Sequence, residues 1–215
     1  MRFYCPAWYI EACGCTCGCA GTGAKWYGQG IASGCIFTDQ LHVIEALILL
    51  IALTPESPEL QKVVAFENAF ERIFALIEAE GSLTHGSAVV EDCLSLLANL
   101  LKLNVSNQSY FRETGCVQKV AALLAGAAKD QEADDGVPEW TMEQRDKNVW
   151  GVLMIVDLFL VRGGLSTPIN QTAFWQHGVM EQVLHLAFNQ EFAVNIKAKV
   201  CRHSALRATA FFFLR

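Results

Sequence analysis

The sequence predicts an all-α fold, an α-solenoid of about three helical repeats. The segment Asn107–Leu123 recurs as Asn170–Leu186, and a fainter copy starts at Gln61. The offsets between copies are 108 − 61 = 47 and 171 − 108 = 63 residues. Repeats of this length with helical spacing of apolar residues are typical of solenoids. The composition agrees, since 53% of residues are hydrophobic and only 18% are charged, as expected of helices buried between neighbours.

The first repeat is predicted to begin with a helix over Leu41–Leu53. A turn follows, in which Ser57 is a candidate N-cap and Pro58 occupies the first helical position. A short helix over Glu59–Glu67 and a longer one over Ala69–Glu80 complete the unit.

The next two repeats are predicted to keep this long–short–long order. The second comprises Val89–Leu103, Asn107–Thr114 and Cys116–Ala128, and the third comprises Met142–Val161, Pro168–His177 and Val179–Phe188. Thr167 before Pro168 predicts another N-cap. Residues 129–138 are acidic and rich in helix breakers, and we interpret them as a solvated insertion, with an acidic docking loop as the alternative.

Six residues at equivalent positions are predicted to anchor the repeats: Asn107, Phe111, Gly115, Asn170, Phe174 and Gly178. The phenylalanines would hold the short helices in the core, and the glycines would permit a sharp turn between helices. The asparagines lie in glycosylation sequons, but because they hold equivalent positions we interpret them as turn or helix-capping residues.

Several classes of protein are disfavoured by the composition. The net charge of −6 and the pI near 5.4 argue against nucleic-acid binding. The two most apolar runs, Leu41–Leu53 and Val149–Val161, are shorter than the roughly 20 residues of a membrane span, so we interpret them as core helices. The N-terminus is a poor signal peptide, which predicts a cytoplasmic protein.

Residues 1–40 differ from the rest, because they hold six of the nine cysteines and many glycines. We expect this segment to be disordered or to derive from outside the native coding sequence. The alternative is a metal-binding module, since thiolates bind zinc or copper, but the alternate spacing of Cys13, Cys15, Cys17 and Cys19 is unlike the paired cysteines of a zinc finger.

No catalytic, metal-binding or cofactor-binding residues are predicted. The five histidines are scattered and form neither a metal-ligand motif nor a recognisable triad, so an enzyme is not expected. Exposed polar residues near the short helices are a candidate protein-binding belt or simply a solvated face: Glu67, Asn68, Glu71, Arg72, Arg112, Glu113, Gln118 and Lys119.

Specific segments resemble the head domain of the general vesicular transport factor family. They are Gln61–Arg72, Val90–Leu94, Leu100–Leu101, Ser106–Gln108, and, for the fungal branch, Val137–Trp140, Gln144–Asn148 and Asn170–Trp175. The resemblance covers about residues 41–199. It implies an armadillo-like helical head without enzymatic activity, which works in vesicle tethering between the endoplasmic reticulum and the Golgi before membrane fusion.

The resemblance also implies partners and a location. These are Rab-family GTPases, SNARE proteins and Golgi matrix proteins, a homodimer in the full-length family, and peripheral attachment to Golgi and transport-vesicle membranes. Residues 1–40 and 200–215 do not resemble the family, and the chain contains no coiled-coil heptads, so we expect a fragment. A different armadillo-type adaptor is the alternative.

Overall fold

The computed structural model describes residues 32–129, 139–161, 163–188, 192, 196–198 and 200. The chain divides into two compact units, residues 1–38 and 39–215, and apart from residues 32–38 all the described residues lie in the second. Most of the predicted Cys/Gly-rich segment, the acidic insertion at 130–138 and the predicted tail after residue 200 lie outside the described residues.

Within the described ranges the chain is entirely α-helical. The helices are α1 (Ala32–Leu53), α2 (Pro58–Phe66), α3 (Ala69–Ala79), α4 (Ala88–Leu101), α5 (Val105–Glu113), α6 (Cys116–Lys129), α7 (Glu139–Phe159), α8 (Thr167–Gln176) and α9 (Val179–Phe188). None of them combines the length and hydropathy that a bilayer span requires.

The nine helices of the described residues form three repeats of an armadillo-like solenoid. Each repeat has a first helix (α1, α4, α7), a short middle helix (α2, α5, α8) and a third helix (α3, α6, α9). Between the second and third repeats, the first helices α4 and α7 and the third helices α6 and α9 pack side by side. One continuous core, which includes Leu97, Leu124 and Val183, therefore runs through all three repeats.

The close packing of α4 on α7 depends on a glycine. A Cβ atom at Gly151 would lie 3.0 Å from Leu94 Cδ1 and 3.2 Å from Leu94 Cβ. Contacts that short require a neighbour to move, so the absent side chain sets the distance between these two helices.

The structure confirms one predicted N-cap, corrects another, and moves the start of α1. Ser57 caps α2, since its hydroxyl oxygen accepts a hydrogen bond from Leu60 N at 3.3 Å. Thr167 is not an N-cap, because it is the first residue of α8 and its hydroxyl donates to Val161 O at 2.6 Å. Helix α1 begins at Ala32, before the predicted start at Leu41. The prediction placed the start where the apolar run begins, but a helical backbone can extend beyond the apolar residues.

The turn between the short helix and the third helix is the same in every repeat. Asn68, Gly115 and Gly178 hold equivalent positions, and their φ angles are 61°, 75° and 75°. Glycine adopts this left-handed conformation most easily, and asparagine is among the next most favourable residues. A Cβ atom at Gly178 would meet nothing within 4 Å, so the backbone conformation rather than crowding favours glycine there.

Leu103 is strained without a packing benefit. Its φ is 56°, a conformation that costs residues other than glycine or asparagine about 1–2 kcal/mol, and its side chain is 92% exposed. We expect Leu103→Asn to raise the free energy of unfolding by about 0.5–1 kcal/mol, because asparagine adopts this conformation more easily. Urea denaturation measures the change; Lys102→Asn, at an extended neighbour, is the control. Destabilisation of Leu103→Asn would contradict the assignment of strain.

Candidate functional site

Buried amide side chains connect the first repeat to the second. Gln61 Nε2 donates to Thr54 O at 2.9 Å, and Asn104 Nδ2 donates to Gln61 Oε1 at 3.0 Å. Asn107 Nδ2 donates to Leu100 O at 2.8 Å and to Gln61 O at 3.0 Å. Since Leu100 lies in the last turn of α4, Asn107 satisfies a carbonyl that lacks an intrahelical partner.

The same arrangement continues into the third repeat. Gln108 Nε2 donates to Leu101 O at 3.1 Å and to Leu158 O at 3.4 Å. Asn170 Nδ2 donates to Phe159 O at 2.8 Å, and Arg112 donates to Asn170 Oδ1. We call these side chains the amide ladder, defined as Gln61, Asn104, Asn107, Gln108 and Asn170.

The ladder changes the interpretation of two predicted anchors. Asn107 and Asn170 lie inside the short helices α5 and α8 rather than in turns or at the helix starts. The N-cap of α5 is Asn104, whose Oδ1 accepts from Asn107 N at 3.2 Å. The side chains of Asn107 and Asn170 are both buried. They donate hydrogen bonds to carbonyls at the C-terminal ends of the preceding long helices, α4 and α7.

A row of aromatic rings runs alongside the ladder. Phe111 is fully buried and lies 5.2 Å from Phe70 and 5.3 Å from Phe159 between ring centroids, and Phe159 lies 5.1 Å from Phe174. Such distances are favourable for tilted aromatic pairs. The predicted anchors Phe111 and Phe174 thus lie in one row that crosses the boundaries between the repeats.

At its first-repeat end the row reaches the surface. Phe66, the last residue of α2, is 55% exposed, and its ring lies 4.8 Å from that of Tyr110. Beside this pair is a small cleft between the first two repeats, lined by Ala65, Asn68, Phe70, Glu71, Tyr110, Thr114, Cys116 and Lys119. We call the pair and the cleft together the junction cleft.

An exposed ion pair lies in the junction cleft. Lys119 Nζ lies 3.9 Å from Glu71 Oε1, and both side chains are solvent-accessible. Lys119 also lies over the ring of Phe74, 5.7 Å from its centroid. An exposed pair at this distance contributes little to stability, so either charge can exchange its partner at little cost.

The thiol at the floor of the cleft is not set up for nucleophilic chemistry. Burial raises the pKa of Cys116 above its ordinary value, although a hydrogen bond between its thiol and the Thr114 hydroxyl and the charge of Lys119 act in the opposite direction. Burial, with the nearby charges of Asp92 and Glu80, raises the pKa of Cys93 to about 12. A thiol rather than a thiolate is a poor nucleophile and a poor metal ligand.

Only part of the predicted polar belt is exposed to solvent. Glu67, Asn68 and Glu71 are exposed around the junction cleft. Arg112 is instead half-buried, because its guanidinium reaches Asn170 and also donates to Ser109 Oγ at 2.9 Å. Gln118 Nε2 lies 3.2 Å from His177 Nδ1 of the next repeat, which extends the polar surface toward the third repeat.

Metal binding receives no support from the described side chains. No group of three or more His, Cys, Asp or Glu residues within the described ranges is placed to hold a metal ion. The cysteines proposed as alternative ligands at positions 5, 13, 15, 17, 19 and 35 lie outside the residues whose side chains are described.

Sequence reasoning missed the surface pair Phe66–Tyr110 and the role of the glutamines in the ladder. Gln61 and Gln108 hold equivalent positions one offset apart, and each bonds a carbonyl seven residues earlier in the chain. The recurrence of a glutamine at this position in two repeats was a signal of its role that the sequence itself contained. The exposure of Phe66 had no such signal, since its apolar spacing suits a core position.

Comparisons with known proteins give a consistent result. The chain matches no protein-family model. The intracellular protein transport protein USO1 of Saccharomyces cerevisiae is 46% identical over 144 residues, which cover 67% of this chain and 8% of USO1. The general vesicular transport factor p115 of Homo sapiens is 36% identical over 152 residues, which cover 69% of this chain and 15% of p115.

Solved structures share the fold as well as the sequence. A crystal structure of Uso1-2 superposes with a TM-score of 0.69 at 41% identity, covering 75% of this chain and 23% of that one. A crystal structure of Uso1-1 gives a TM-score of 0.65 at 43% identity over 73% of this chain. The chain therefore spans a small part of each of these longer proteins.

Proposed function

Since this chain is a homologue of the Uso1/p115 vesicular transport factors over part of their head region, we propose that it acts as a protein-binding scaffold in vesicle tethering. The step is endoplasmic reticulum-to-Golgi and intra-Golgi transport, before membrane fusion. We take residues 41–199 as the head fragment, flanked by the separate segments 1–40 and 200–215.

The junction cleft is the single observation that carries this proposal. It combines a half-exposed aromatic pair, a recess and two opposite charges at the boundary between two repeats. Aromatic side chains beside a recess are the usual anchors of protein–protein interfaces. The rigid repeats on either side hold the anchor in a fixed position, which lowers the entropic cost of binding.

The proposed partners follow from the family resemblance. They are Rab-family GTPases, SNARE proteins and Golgi matrix proteins, which would bring the chain to the cytoplasmic face of Golgi and transport-vesicle membranes. A partner would place an apolar side chain against Phe66 and a charged group beside Lys119 or Glu71, so that the weak ion pair of the free protein is replaced by pairs across the interface.

A competition experiment tests the proposal. The chain is added in excess to permeabilised cells in which endoplasmic reticulum-derived vesicles dock on Golgi membranes. We expect it to inhibit docking, because it would occupy the partners of the resident tethering factor. Phe66→Ser is expected to weaken inhibition about tenfold or more, the effect of removing a central aromatic anchor.

The matched control is Val63→Ser. Val63 lies on the same helix and is 59% exposed, compared with 55% for Phe66, but it does not line the junction cleft. This variant should inhibit like the native chain. If the native chain leaves docking unchanged, the scaffold function fails; if both variants weaken inhibition equally, the binding site lies elsewhere.

A further inference from the structure

Exposed apolar side chains mark the turns between the first and short helices of the second and third repeats. Leu103 is 92% exposed and Leu165 is 98% exposed. Val105 and Ile169, in the first turns of α5 and α8, and Val161 after α7 are also exposed. We call these five residues the apolar edge.

The two turns lie next to each other along one side of the solenoid. They occupy equivalent places in successive repeats, since one joins α4 to α5 and the other joins α7 to α8. Helix α4 packs along α7, and Arg112 of α5 bonds Asn170 of α8. The apolar edge also lies at the opposite end of the short helices from the junction cleft, which Phe66 and Tyr110 mark.

Folding alone does not explain the leucine at position 103. Its left-handed backbone is unfavourable for leucine, and its side chain is almost entirely in contact with solvent. Strained residues of this kind cluster at functional sites. An apolar side chain in such a place is expected to gain stabilisation from something outside the folded chain.

The charge around the apolar edge differs from that of the whole molecule. The chain holds 22 Asp and Glu residues and has a net charge of −6, yet no Asp or Glu occurs in residues 93–112 or 158–180. The first of these stretches includes Lys102, directly before Leu103 in the chain. The corresponding turn of the first repeat instead contains Glu56.

We propose that the apolar edge inserts into the surface of a lipid bilayer that contains anionic lipids. Side chains more than nine-tenths exposed at turns form convex tips, whereas protein partners bind anchors set in well-packed recesses. A soft bilayer accommodates such tips, and the lack of Asp and Glu in these two stretches, together with Lys102, suits an anionic surface. This inference goes beyond the proposed function, because it concerns lipid rather than protein.

A few inserted side chains give weak, reversible binding. Membrane attachment generally requires two signals, and one short apolar element alone is marginal. The apolar edge would therefore act together with protein contacts at the junction cleft. Because the two sites lie at opposite ends of the short helices, a membrane and a protein partner could be engaged at the same time.

Vesicle flotation of the full chain tests the proposal. Phosphatidylcholine vesicles with and without phosphatidylserine are the probes. The native chain is expected to float more strongly with phosphatidylserine, and Leu103→Asn with Leu165→Ser to reduce the bound fraction about tenfold or more, since withdrawing one leucine from water changes an equilibrium constant by about that factor. Leu103→Asn keeps the backbone conformation favourable, and thermal melting checks that the variant is folded.

The control replaces two exposed apolar residues away from the apolar edge and the junction cleft, Ile48→Ser with Val63→Ser, and should float like the native chain. Failure of the native chain to float, or equal loss in both double variants, overturns lipid insertion. If the edge variant floats normally but loses inhibition of vesicle docking, the edge binds a protein instead. If the edge variant loses flotation but still inhibits vesicle docking like the native chain, lipid insertion is supported separately from the scaffold function.

Discussion

Replacing Phe111 by alanine is expected to destabilise the protein by about 3–5 kcal/mol, the range for truncating a buried aromatic residue in a core. Phe111 is fully buried, and its ring contacts Phe70 and Phe74 of the first repeat and Phe159 of the third. The cavity would therefore border all three repeats at once.

Urea denaturation followed by circular dichroism measures this effect. Phe111→Leu is the matched control, because it keeps most of the apolar volume and should cost less than about 1.5 kcal/mol. A loss below about 1.5 kcal/mol for Phe111→Ala would mean that the ring is not central to the core. A change in the slope of the transition would show that the repeats no longer unfold together.

The second large effect is expected for Asn107→Ala, at about 1–3 kcal/mol, since removal of a buried donor leaves a buried carbonyl unsatisfied. The Asn107 amide serves two acceptors, Leu100 O and Gln61 O. Leu100 O lies in the last turn of α4, where intrahelical donors are lacking. Burial prevents water from replacing the lost donor readily.

Asn99→Ala provides the comparison. Asn99 Nδ2 also donates to a carbonyl of a neighbouring repeat, Ile51 O at 3.2 Å, but the residue is only half-buried. Water can reach that site, so the cost should be about 1 kcal/mol or less. Equal losses at the two positions, measured by urea denaturation, would show that burial of the amide ladder does not determine its contribution.

The architecture of the repeats was predictable because its signals are local. Phe111 and Phe174 recur at equivalent apolar positions, and both are buried. Gly115 and Gly178 recur where the chain must turn, and both have positive φ. Apolar spacing and glycine placement reflect the geometry of the chain itself, so they can be interpreted without knowledge of the neighbouring repeats.

The polar interactions were less predictable, because they depend on which atoms of another repeat lie nearby. Arg112 looked like a surface cation from its position, but Asn170 of the next repeat draws it inward. Ser57 and Thr167 each carry the same sequence signal beside a proline, yet only Ser57 caps a helix. Thr167 instead bonds Val161 O, an acceptor supplied by the local path of the turn.

The amide ladder also explains how repeats of unequal length can keep their short helices at a constant spacing. The second offset exceeds the first by 63 − 47 = 16 residues, and most of the extra sequence lies in α6, in α7 and in the turn between α7 and α8, each longer than its counterpart one repeat earlier. The cross-repeat bonds of the ladder lie in the short helices and in the C-terminal ends of α4 and α7. Evolution can therefore lengthen the first and third helices at their other ends, while the spacing of the short helices, and of whatever binds to them, stays constant.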